Sequence, residues 1–132
     1  MYKVTKRFEF DAAHRLWGYN GPCANLHGHH YVLEVTVRGT ELDWLGMLID
    51  FGELKRIVGS WLNRWWDHKT ILHPDDPLSM PECYKNKLLG NPTVENMAAF
   101  LWEVFDGHFP ESIELDCIRL YETPDSWVDY SK

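Results

Sequence analysis

Two stretches of strict alternation constrain this chain more than any other feature. Tyr2, Val4, Phe8 and Phe10 alternate with Lys3, Thr5, Arg7 and Glu9, and Tyr31, Leu33, Val35 and Val37 alternate with Glu34, Thr36 and Arg38 until Gly39. A period of two places every second side chain on one face, so each stretch predicts a strand with one buried face. Between them lies a long excursion, Asp11 to His30, which carries four of the seven histidines. A connection of that length in a compact domain is usually functional.

Helical periodicity follows. Asp50 with Glu53 fits a capping box ahead of Leu54, Ile57, Val58, Trp61, Leu62 and Trp65. Thr93 is placed to cap a second helix whose apolar stripe runs Met97, Phe100, Leu101, Val104 and Phe105, ending near Gly107 and Pro110. The intervening Lys69 to Asn91 is rich in proline and charge and reads as a surface loop. Ile113 to Glu122 is strand-like, and Trp127 to Tyr130 adds a short last strand. The order ββααββ predicts one α+β domain over residues 1–132, an antiparallel sheet with two helices on one face.

Composition narrows the function. A formal charge of −7 disfavours nucleic-acid binding, which draws its affinity from clustered Lys and Arg. No run of about 18 apolar residues and no signal peptide is visible, which points to a soluble protein of the cytoplasm with no membrane partner. Three scattered cysteines argue against a disulfide framework. The tryptophan group Trp44, Trp61, Trp65 and Trp66 suits an aromatic core or a subunit interface better than a ligand platform.

His27-Gly28-His29 opens the second strand, where residues two apart share a face and two imidazoles reach one ion. His14, at the end of the first strand, is the natural third donor once the strands pair. Three histidines with an open fourth position describe a catalytic zinc site. Cys23, four residues before His27, either closes that shell as a structural ligand or stands beside it as a base whose thiol the cation acidifies. The closed shell would make the chain a non-catalytic zinc-binding module. A zinc hydrolase finds no support, because there is no H-E-x-x-H helix. Asp67-His68 forms a working dyad only if the first helix has ended; otherwise His68 is a surface residue near the helix dipole. Glu122 shares a face with Ile118 and Leu120, and either pairs with Arg119, Arg38 or another base or awaits a ligand offering two parallel donors.

At these residues the chain resembles the 6-pyruvoyl-tetrahydropterin synthase and 6-carboxy-tetrahydropterin synthase family. Phe8 to His14, the C-x3-H-G-H run from Cys23 to His29, Ile49-Asp50-Phe51, Trp66-Asp67-His68, Pro92 to Asn96 and Tyr121 to Pro124 look like the family's segments, in family order. The resemblance implies the tunnelling fold, a homohexamer built as a dimer of trimers, and active sites between subunits. It makes His14, His27 and His29 the zinc ligands, Cys23 the general base, Asp67 and His68 its proton relay and Glu122 the pterin anchor, with Thr93 and Glu95 as substrate-binding residues. The short spacer before H-G-H and the segments at Ile49 and Glu122 look more like the branch that converts 7,8-dihydroneopterin triphosphate to 6-carboxytetrahydropterin, acetaldehyde and triphosphate for queuosine and other 7-deazapurines. The alternative is the 6-pyruvoyl branch, which keeps the side chain. A triphosphate substrate needs local cations, for which Arg15 and Lys69 are the nearest choices.

Overall fold

The computed structural model describes residues 1–132. Its centre is a hairpin of β1 (Tyr2–His14) and β2 (His27–Gly39), paired antiparallel from Tyr2↔Gly39 to His14↔His27. Both strands run further than the alternation alone indicates, so the connection shrinks to residues 15–26 and contains one 3-10 turn at Pro22–Ala24. The two ends of the former excursion are strand, and they carry the histidines.

The first helix begins with α1 (Phe51–Leu54), passes without a break through a π-helical segment (Lys55–Gly59) and ends as α2 (Ser60–Trp65). The Asp50 carboxylate caps it by accepting from the Gly52 amide at 2.6 Å. The capping box is incomplete, because Glu53 turns away to pair with Arg56. Thr93 caps α3 (Val94–Phe105) by accepting from the Asn96 amide at 3.2 Å.

The expected surface loop contains β3 (Lys69–Leu72) and β4 (Lys85–Lys87), and the expected antiparallel sheet is therefore mixed. β3 runs parallel to β1, and β4 runs parallel to β3. With β5 (Glu114–Thr123) and β6 (Ser126–Tyr130), both antiparallel to their neighbours, the six strands stand in the order β4-β3-β1-β2-β5-β6.

One face of the sheet is the core. Phe8, Phe10, Tyr31, Leu33, Ile118 and Leu120 are buried against Leu54, Val58 and Leu62 of the first helix and Met97, Leu101 and Phe105 of α3. Trp66 is fully buried between Phe10 and Phe100. Truncating such a ring costs about 3–5 kcal/mol, so it is a fixed point of the fold. Trp61 packs on it, whereas Trp44 is 90% exposed, so the tryptophan group divides between core and surface. The other sheet face carries ion pairs and hydroxyls such as Arg7 with Glu34 and Thr5 with Thr36. No helix is long and apolar enough to cross a membrane.

Candidate metal centre and pocket

The register that buries Tyr31 opposite Phe10 also sets Ala12 opposite His29 and His14 opposite His27. All three histidines thus stand on the core face at one end of the hairpin, with their ligand nitrogens within 4.8 Å of one another. His14 is 3% exposed. Its Nδ1 lies 2.7 Å from the Pro92 carbonyl, and Nδ1 of His27 lies 2.7 Å from the Asn25 carbonyl. A carbonyl only accepts, so both Nδ1 atoms carry the proton and both Nε2 atoms present a lone pair. The Tyr31 hydroxyl lies 3.2 Å from Nδ1 of His14.

Burial pushes His14 below the ordinary imidazole pKa, against the opposing pull of the Pro92 carbonyl and the Glu122 carboxylate. Burial does the same to His29, again opposed by Glu122. Both rings are thereby held neutral, the form that binds metals. Nε2 of His29 is buried without a hydrogen-bond partner, and the nearest acid, Glu122 Oε1, is 3.5 Å away. An orphaned buried nitrogen beside the facing Nε2 atoms of His14 and His27 fits a cation held by three imidazoles.

Cys23 lies outside this cluster. It sits on the 3-10 turn of the 15–26 connection, whose start is tied to it by a bond from the Leu16 amide to the Cys23 carbonyl at 2.8 Å. It lines a pocket of about 210 Å³ together with His14, Leu16, Thr93, Val94, Glu95 and Glu122. Five of the residues singled out by sequence therefore share one pocket. Glu122 takes neither expected arginine, because Arg119 pairs with Asp129 and Arg38 with Glu114 and Asp116. The β5–β6 register shifts between Tyr121 and Thr123, so Glu122 stands at an irregularity of the kind that re-aims a side chain. The Thr93 hydroxyl is occupied as a helix cap, and Glu95 is exposed at the first turn of α3.

The first helix ends at Trp65, which frees Asp67 and His68 to face each other. Nδ1 of His68 lies 3.0 Å from Asp67 Oδ2. His68 adopts a left-handed backbone with φ 60°, which costs a non-glycine residue about 1 kcal/mol. Two bonds to one residue of β1 hold it there: the His68 amide donates to the Asp11 carbonyl at 2.7 Å, and the Asp11 amide donates to Asp67 Oδ1 at 3.0 Å. The exposed His68 lines a second pocket, with Asp11, His30 and Lys69. Cys23 does not line that pocket, whereas His29 of the three-histidine cluster does.

Two features escape the sequence reading. Arg15 is not free for a phosphate: its guanidinium grips the fully buried Asp76 carboxylate through Nε at 2.7 Å and Nη2 at 2.5 Å. His30, next to the ligand pair, bonds Asp11 at 2.7 Å. The proline-rich composition around Asp76 masks the first, and no sequence signal marks the second.

A mixed sheet backed by two helices, with three histidines gathered at the end of its central hairpin, defines an α+β protein with a metal-ready site. The sequence profile described as 6-pyruvoyl tetrahydropterin synthase matches residues 3–132, and the chain belongs to that family. It is 40% identical to a 6-carboxy-5,6,7,8-tetrahydropterin synthase of Rickettsia felis, over 98% of this chain and 99% of the relative. A protein of the same description from Haemophilus influenzae is 35% identical over the full length of both. The 6-pyruvoyl tetrahydropterin synthase structure of Plasmodium falciparum superposes with a TM-score of 0.77 at 26% identity, covering 99% of this chain and 97% of that one.

Proposed function

We propose that this protein is a zinc-dependent 6-carboxy-5,6,7,8-tetrahydropterin synthase that acts on 7,8-dihydroneopterin triphosphate. The observation that carries the reading is the shared pocket of His14, Cys23, Thr93, Glu95 and Glu122, at the cluster of His14, His27 and His29. The names of the 40% and 35% identical relatives support the carboxy-forming branch over the pyruvoyl one.

His14, His27 and His29 would hold the metal through their Nε2 atoms. Bound zinc supplies Lewis acidity toward the hydroxyls of the substrate side chain. Glu122, lacking any Lys or Arg partner, receives the two parallel N–H groups of the pterin edge. Cys23 takes and returns the side-chain protons, and the Asp67 carboxylate holds Nδ1 of His68 so that the opposite ring nitrogen exchanges protons with the reacting centre. His68 and Cys23 line different pockets of one chain, which supports a complete site formed where two subunits of a homohexamer meet, as in the family. Within the cytoplasm the product enters the route to queuosine and related 7-deazapurines.

The deciding experiment incubates purified protein with 7,8-dihydroneopterin triphosphate and measures acetaldehyde with a coupled alcohol dehydrogenase. Acetaldehyde equal to the triphosphate released is the expected result. Triphosphate without acetaldehyde would transfer the protein to the pyruvoyl branch.

A further inference from the structure

The segment before α3 has a contact pattern that neither its helix-capping role nor the metal ligation accounts for. The Asn91 side chain uses both of its functional ends on one residue of the 15–26 connection: Oδ1 accepts from the Trp17 amide at 2.9 Å, and Nδ2 donates to the Trp17 carbonyl at 3.1 Å. Trp17 stands on the 15–26 connection, and its neighbour Leu16 donates to the Cys23 carbonyl. On the other side, the Asn91 carbonyl accepts from the Thr93 amide and from Asn96 Nδ2, each at 2.9 Å. The next residue, Pro92, offers the carbonyl that sets the tautomer of His14. One amide side chain therefore joins the connection that bears the thiol to the residue that orients a metal ligand.

We propose that Asn91 is a positioning residue that fixes the Cys23 thiol relative to the three-histidine centre, by clamping the Trp17 backbone to the Pro92 segment. Both halves of the amide are required. An aspartate at this position keeps the shape and the bond from the Trp17 amide, but sets a carboxylate oxygen against the Trp17 carbonyl, where no donor remains. Displacement of a reacting group by a fraction of an ångström lowers turnover with little change in binding, because the pterin ring is held elsewhere, at Glu122. The catalytic part of this inference rests on the role proposed for Cys23; the structural part does not.

The test compares Asn91→Asp and Asn91→Ala with the parent protein by four readings: zinc content, kcat and KM, the rate of Cys23 alkylation by iodoacetamide with Cys83 and Cys117 replaced by Ser, and hydrogen exchange of the Trp17 amide. Expected are unchanged zinc, kcat lower by roughly 10- to 100-fold with KM within about threefold in both variants, an alkylation rate altered at least about fivefold, and slow exchange at Trp17 in the parent that becomes fast in Asn91→Ala. Parent-like kcat and alkylation in Asn91→Asp would overturn the inference, since mere space-filling is preserved by that isostere. If the variants do not fold, the parent still decides: rapid exchange at the Trp17 amide defeats the clamp. A parent that is inactive on the pterin triphosphate, with alkylation and exchange as expected, would defeat the proposed activity and leave the clamp standing.

Discussion

Nε2 of His14 stands 3.1 Å from Nε2 of His27, while Nδ1 of each ring faces a backbone carbonyl. In the neutral ring that a carbonyl-bound Nδ1–H favours, Nε2 offers a lone pair, and a metal ion between the two nitrogens would use both. Tetrahedral zinc with bonds of about 2.0–2.1 Å would hold neighbouring nitrogens about 3.3 Å apart, close to the separation present. The protein is expected to bind about one zinc per chain. His14→Ala, His27→Ala and His29→Ala should each weaken binding by more than the roughly 10–100-fold typical of losing an outer partner. Elemental analysis after dialysis checks this, and full occupancy in all three variants would refute the ligand set.

Cys23 behaves differently from the histidines if it lies beside the metal rather than on it. Cys23→Ala should retain zinc and lose at least about a hundredfold in turnover, in the range that proton-transfer groups contribute. Zinc lost together with the thiol would revive the closed four-ligand shell.

Glu122→Gln should act mainly on substrate capture. Charge-assisted bonds to a carboxylate contribute about 1.5–3 kcal/mol, so KM should rise roughly 10–100-fold while zinc content stays constant. An unchanged KM would remove Glu122 from the pterin site.

Arg15 and Asp76 predict an acid-sensitive step in stability. The Arg15 guanidinium holds the Asp76 carboxyl below its ordinary value of 3.8, outweighing the opposite effect of burial. The unfolded chain therefore takes up this proton first, and the contribution is complete above about pH 5 and is lost as the pH falls through the lowered value. Asp76→Asn should cost about 2 kcal/mol near neutrality and flatten the stability profile below pH 4. Urea titrations across pH 2.5–7 provide the comparison, and an unchanged acid slope in the variant would contradict the assignment.

The proposed site between subunits, with Cys23 lining one pocket of the chain and His68 another, leads to a complementation test. Cys23→Ala and His68→Ala are each expected to be inactive, yet co-refolded oligomers should recover activity, because about a quarter of sites formed between subunits draw both intact halves. No recovery from mixed oligomers would mean that the halves belong to separate functions.

Much of this arrangement is legible in the alternation of β1 and β2, because a period of two both names the buried face and puts His27 and His29 on it. Capping by Asp50 and Thr93 was equally readable, since short polar side chains ahead of an apolar stripe have few other uses. β3 and β4 were not, because strands of four and three residues are too short to show a period, and parallel pairing leaves no turn signal between partners. The carbonyls of Asn25 and Pro92 were invisible for a different reason: a backbone acceptor looks the same in every residue. The commitment of Arg15 to Asp76 likewise depends on where a proline-rich segment folds back, which local pattern does not encode.

The pairing His14↔His27 is the innermost rung of the hairpin, and a slip of β2 by one residue would turn His27 and His29 away from His14 altogether. Only the correctly aligned hairpin assembles three donors. A metal captured during folding would therefore act as a proofreader of strand alignment: it would bind one register, ignore its neighbours, and convert a geometric error of a few ångströms into the loss of a ligand.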